Sequence, residues 1–174
     1  MIIDCNPWGD GCYGGYVSDT FKYWLIPYAV KPNLEKDYPY KASQGICQSS
    51  TLTQYNMTVS NIIELYSATG SGLSTVSMIN LLTTYGPYAT YLDASSTLFG
   101  YYTSGILNNS CCWSGGYIDY ANLSLTNHAI ITVGYGISSG KSYWIMRNSW
   151  GSSWGESGYI RMTMTTKGVG ICGN

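Results

Sequence analysis

The chain has 174 residues, of which 10% are charged, and a formal net charge of −1. That share is well under the usual figure of about 25%, and the eight Lys and Arg are scattered, so there is no basic stripe for nucleic acid or an acidic membrane surface. No apolar run approaches the roughly 18 residues of a membrane span, and MIIDCNPWGD lacks the basic and apolar regions of a signal peptide.

In chain order, GDGCYGGY is turn chemistry and VSDTFKYWLIPY, residues 17–28, spaces its apolar residues as a helix does. KPNLEKDYPYKASQGICQSS is punctuated by Pro, Asn, Asp and Gly and reads as irregular, stapled by Cys47. VSNIIELYS predicts a strand. GSGLSTVSMINLLTTYG predicts a second helix, with Ser71 or Ser74 as N-cap and Gly86-Pro87 as its stop. The remaining runs are β-like: YATYLDA, NHAIITVGYG, KSYWIMRNS and GYIRMTMT are short and rich in Val, Ile, Tyr and Thr, between Gly or Ser turns. A helical front and a β-rich back predict an α+β arrangement in two lobes, residues 1–60 and 61–174.

Six cysteines without a C-x-x-C pair suit a disulfide framework better than a zinc site, and neither a metal nor a cofactor is expected. Asn56, Asn108 and Asn122 each open an N-x-[ST] sequon and would accept glycans in a secretory compartment. Together these features favour a secreted or a lysosomal or vacuolar setting.

VGYGISSGKS imitates a phosphate-cradling loop, but Tyr135 stands where the first Gly of G-x-x-x-x-G-K-[ST] belongs. The adjoining SYWIMRNSW reads as strand, so no helix N-terminus is available, and the stretch is expected to be a Gly-rich hairpin. His128, the only histidine, opens one apolar strand, and Asn148 ends another. If the two strands are antiparallel neighbours joined through residues 134–142, the Asn side-chain oxygen can accept the imidazole N–H and set its tautomer. Trp150 can then cover that bond. A general base of nucleophilic catalysis is oriented this way. Ser149 is a poorer nucleophile candidate, because nothing resembles a G-x-S-x-G elbow.

TNHAIITVGYG followed by YWIMRNSWGSSWGESGYIRM resembles the His and Asn segments of papain-like cysteine proteases, the cathepsin family. IIDC, GCYGGY, DYPY before Cys47, GPYATYLDA and the terminal GICG occur in that family's order, so the resemblance runs from residue 2 to 173. It implies a papain-like two-lobe fold: an incomplete helical left lobe, a β-barrel-like right lobe whose last strand is truncated, and a cleft between them that takes a peptide or protein substrate. By resemblance His128 pairs with a cysteine thiolate, Asn148 orients it and Trp150 shields the contact. Gly14 and Gly15 would line the cleft and the carbonyl of Asn127 would meet the substrate. Tyr16, Tyr91, Thr126 and Ala129 would form the main specificity pocket, which the two tyrosines would make aromatic. The family pattern also pairs Cys5 with Cys47, and Cys172 with Cys111 or Cys112.

The family's nucleophile motif, Q-G-x-C-G-S-C-W, does not occur in these residues. Its expected distance of about 130–150 residues ahead of the His falls before Met1. Cys12, in G-C-Y-G-G, matches a disulfide cysteine instead and is left without a partner. The expectation is therefore a cysteine endopeptidase by family, in which this chain supplies His, Asn and much of the cleft but not the nucleophile and is inactive alone. A second chain carrying the missing segment would cover helix 17–28, whose apolar face is otherwise exposed. The alternative is a catalytically inactive homologue that binds peptides or a protein partner.

Overall fold

The computed structural model describes residues 1–64, 73–108 and 126–165. Its contacts separate two compact units, Met1–Glu64 and Leu65–Asn174.

The first unit begins with a short helix, α1 (Ile2–Cys5), and a 3-10 turn, Gly11–Tyr13. Its small core is cross-linked instead of thickly packed. A disulfide joins Cys5 to Cys47. Beside it the Asp4 carboxylate accepts from the Tyr38 hydroxyl at 2.8 Å and from the Gly45 N–H at 2.7 Å. The Gly45 N–H and then the Tyr38 hydroxyl hold the Asp4 carboxyl below its ordinary range. Asn33 ties the adjacent loop by donating to the Ser49 and Thr53 carbonyls.

The helix expected over 17–28 forms in part. It begins as α2 (Val17–Asp19) and widens through Thr20–Leu25, where the Ile26 N–H reaches back five residues to the Phe21 carbonyl at 3.0 Å. Pro27 has no N–H to add to the ladder, and the helix ends with Ile26, its backbone still in the α region, as C-cap. Trp24 and Leu25 are buried, whereas Tyr23 and Tyr28 are exposed. The strand expected at VSNIIELYS is not found over 59–64, and its last three residues lie outside the described residues. Asn61 turns its side-chain oxygen onto the Ile62 N–H at 2.8 Å, which takes that donor from any ladder.

In the second unit the Ser74 hydroxyl caps α3 (Thr75–Tyr85), accepting from the Ser77 N–H at 3.1 Å. Ser71, the other cap candidate, lies outside the described residues. Gly86, at φ +88°, ends the helix and Pro87 prevents its return. Beyond it the described residues form five strands, β1 (Tyr88–Leu92), β2 (Ile106–Leu107), β3 (His128–Ser138), β4 (Lys141–Arg147) and β5 (Tyr159–Thr163), with a short helix α4 (Thr97–Gly100) after β1. Their order across the sheet is β1-β3-β4-β5-β2. All pairings are antiparallel except β2 with β5. The described residues of the β-rich lobe thus form one sheet with β1 and β2 at its two ends.

Ser139 and Gly140, both at positive φ, close the β3–β4 hairpin, as two-residue turns between right-twisted strands require. The stretch that imitates a phosphate loop is this hairpin. Alternation decides the buried face: Trp144 and Met146 of β4 stand opposite Met162 and Ile160 of β5. These four pack with Leu82, Leu92, Phe99, Tyr102 and Ile130. Each fully buried apolar side chain contributes about 1.5–3 kcal/mol. A buried polar pair in the sheet satisfies itself, Thr90 Oγ1 lying 2.8 Å from Thr132 Oγ1.

Candidate active site

His128 is the first residue of β3 and Asn148 comes directly after the last residue of β4. Antiparallel pairing, with Ile131 opposite Arg147, brings the start of one strand to the end of the other. The imidazole Nε2 lies 2.8 Å from Asn148 Oδ1. The same oxygen accepts from the Ser149 N–H at 2.8 Å. A backbone N–H can only donate, so the amide is oriented with its oxygen inward, and Nε2 must then carry a proton toward it. Nδ1 is left as the nitrogen that can exchange a proton with a reacting group.

Asn148 is only 7% exposed, so little water competes for this bond. Its Nδ2 is buried and meets no acceptor among the described residues. The Trp150 ring sits 5.0 Å from the imidazole at 38°, yet Trp150 is 42% exposed, so it roofs the site with one face to solvent. Beneath lies Phe99, fully buried, edge-on to His128 at 6.2 Å and to Trp150 at 5.4 Å. Trp154 completes the cluster, 5.3 Å from Phe99 and 5.4 Å from Trp150, and its indole N–H donates to the Gly100 carbonyl at 3.0 Å. The turn that returns the chain to β5 depends on Gly155: at φ +56°, a Cβ there would lie 2.6 Å from the Tyr159 carbonyl oxygen.

Of the remaining residues singled out in the second unit, Tyr91 stands directly opposite Ala129 across the β1–β3 ladder. Both are half-buried, as is Thr126, while Asn127 is exposed. Gly14, Gly15 and Tyr16 belong to the first unit. The two glycines take φ +117° and +152°, a backbone that side chains rarely adopt, and Tyr16 is exposed. Cys12 is a free, exposed thiol in the Gly11–Tyr13 turn. Asn56 and Asn108 are exposed, and the Asn56 side-chain oxygen accepts from Lys31 Nζ at 3.0 Å. Cys111, Cys112, Cys172 and Asn122 lie outside the described residues. Among the described residues no group of three or more His, Cys, Asp or Glu could hold a metal ion, and no helix is long and apolar enough to cross a membrane.

Phe99 and Asp93 carry no signal that marks them in the sequence. Phe99 sits in a short helix whose one local signal is Ser96, accepting from the Leu98 N–H at 3.2 Å. Asp93 resembles an ordinary strand-end residue, and only the fold shows it to be buried.

The family model described as papain family cysteine protease matches residues 1–174. The chain is 34% identical to a cysteine proteinase of Brassica napus over 162 residues, 92% of this chain and 44% of that protein. It is 33% identical to digestive cysteine proteinase 2 of Homarus americanus over 165 residues, 94% of this chain and 46% of that protein. Its fold is similar to that of the bromelain protease from Ananas comosus, solved in complex with the E64 inhibitor. The TM-score is 0.73 at 33% identity, covering 99% of this chain and 71% of that one. The chain belongs to the papain family of cysteine proteases and has its papain-like α+β fold. It spans a third to a half of the length of the curated relatives it matches.

Proposed function

We propose that this chain forms part of a cysteine peptidase and contributes His128 as the proton carrier and Asn148 as its anchor. The observation that carries this reading is the Asn148 oxygen, which accepts from both Nε2 and the Ser149 N–H and leaves Nδ1 as the working nitrogen. With a cysteine thiol near Nδ1, the imidazole takes the thiol proton and the imidazolium stabilises the thiolate. Attack on a peptide carbonyl forms the C–S bond and moves the C=O pair onto oxygen. Collapse then expels the amine, which takes its proton from Nδ1. Water, deprotonated by the imidazole, cleaves the thioester and restores the ion pair.

No cysteine of these residues stands in the nucleophile motif, so the reading takes the thiolate from a further segment or a second chain. The exposed Tyr23 and Tyr28 beside buried Trp24 and Leu25 support a partner segment over that helix. Tyr91 and Ala129, opposite one another, support a hydrophobic or aromatic preference two residues before the scissile bond. The exposed sequons at Asn56 and Asn108, with the Cys5–Cys47 bridge, support a secreted or lysosomal or vacuolar glycoprotein.

The missing motif also supports a second reading, an inactive homologue that binds peptides or a protein partner. An epoxide directed at active cysteines separates the two when applied to the native preparation. The peptidase reading expects modification of one cysteine, located by peptide mass mapping, with loss of hydrolysis, and His128→Ala should abolish both. Folded protein in which no cysteine reacts rejects it in favour of the inactive homologue.

A further inference from the structure

We infer that Asp93 is a positioning residue for His128, acting through Asn127 as a fixed hydrogen-bond acceptor. Asp93 lies one residue past β1 and is only 5% exposed. Its Oδ1 accepts from the Ser95 N–H at 2.9 Å and from Asn127 Nδ2 at 3.0 Å. Asn127 Nδ2 also donates to Ser95 Oγ at 2.6 Å, while Asn127 Oδ1 accepts from the Ala94 N–H at 2.9 Å. The Asn127 backbone N–H donates to the Leu92 carbonyl at 3.1 Å. Four hydrogen bonds from one corner, residues 92–95, therefore converge on the residue before His128.

Their chemistry allows a single arrangement. A carboxylate at neutral pH cannot donate and a backbone N–H cannot accept, so the Asn127 amide must turn its nitrogen to Asp93 and its oxygen to Ala94. Of the two side-chain acceptors, Ser95 Oγ lies where water competes, whereas the buried Asp93 oxygen is shielded. The first turn of chain into β3 is thereby clasped on the β1 side by Asp93 and on the β4 side by Asn148, with His128 between. Asn148 sets the direction of the ring; the Asp93–Asn127 clasp sets the backbone from which the ring projects. The role in the reaction rests on His128 being the working imidazole, but the clasp itself can be tested without activity.

His128 is the only histidine of the chain, so its ring resonances are unambiguous in the full chain. Hydrogen exchange of the Nε2–H reports how well the ring is held on Asn148. Asp93→Ala should lose the slowly exchanging signal or speed its exchange about tenfold or more, as expected when a buried acceptor is removed. Asp93→Asn keeps an oxygen in the same place and should stay within about twofold of the parent. A folded Asp93→Ala protein with parental exchange overturns the inference. So does an Asp93→Asn protein as impaired as the alanine variant, because charge and not acceptor geometry would then be the cause. If Asp93→Ala does not fold, Asn127→Ala tests the same link from the exposed side, and unchanged exchange there overturns it. Because the ring itself is read, a chain that resists the epoxide yet shows this pattern rejects the peptidase reading alone. Epoxide labelling without the pattern rejects the clasp alone.

Discussion

Asn148 Oδ1 is the atom on which the candidate site turns, since it receives both the imidazole and the Ser149 N–H. Asn148→Ala removes the acceptor from two donors at once, and the expected loss is about 1–3 kcal/mol in a denaturant titration. In a preparation that hydrolyses peptides, the same variant should lower kcat/KM about ten- to a hundredfold. A second residue-scale prediction concerns charge. Asn127→Asp would set a second carboxylate 3.0 Å from Asp93 Oδ1, a distance at which both cannot stay ionised. One pKa of the pair should then rise above its unfolded value, so the folded state binds more protons. The variant should be destabilised at neutral pH and recover as pH falls through that raised pKa. A denaturation midpoint with parental pH dependence would count against it. That His128, Asn148 and Trp150 come together was legible in the sequence, because their strand positions and near neighbours show it. Asp93 and Phe99 were not, since an Asp after a strand and a Phe in a short helix mean nothing until burial is known.

Among the elements, α3 and the β2–β5 edge show how local chemistry holds a frame. Ser74→Ala should cost about 1 kcal/mol, read as a lower denaturation midpoint, because the Ser77 N–H loses its cap. Glu156 accepts from Arg161 Nε at 2.8 Å and from the Gly105 N–H at 2.9 Å, clasping the segment that enters β2 against β5. The Arg161 bonds, and then the Gly105 N–H, hold the Glu156 carboxyl below its ordinary range. With the folded pKa depressed, its contribution is present above the unfolded carboxylate pKa and is lost as pH falls through the folded one. Glu156→Gln should flatten that acid limb of the stability curve, and a limb unchanged in slope would refute the assignment. Periodicity located α3 and four of the five described strands. It failed at 59–64, where Asn61 diverts a backbone donor, and it could not foresee the wider helical turn before Pro27.

At the scale of the molecule, the two units depend on different forces. The described core of the second is a layer of interdigitated Met, Ile, Leu, Phe and Trp side chains. The first buries Trp24, Leu25 and Tyr38 and leans on the Cys5–Cys47 bridge across 42 residues of sequence. Cys5→Ser should therefore lower the stability of residues 1–64 by about 2–5 kcal/mol. Hydrogen exchange should show lost protection there while the β3–β5 amides keep theirs. Equal loss in both units would contradict a separate origin of their stability.

Composition, turn chemistry and motif order were enough to identify the family, the strand-rich back and the His, Asn and Trp of the candidate site, because these rest on residue type and near-neighbour spacing. The order of the described strands, the aromatic floor beneath the imidazole and the corner that grips Asn127 emerged only from the folded chain. Burial and register arise from residues far apart in sequence, and a carboxylate becomes a fixed acceptor when the chain around it excludes water.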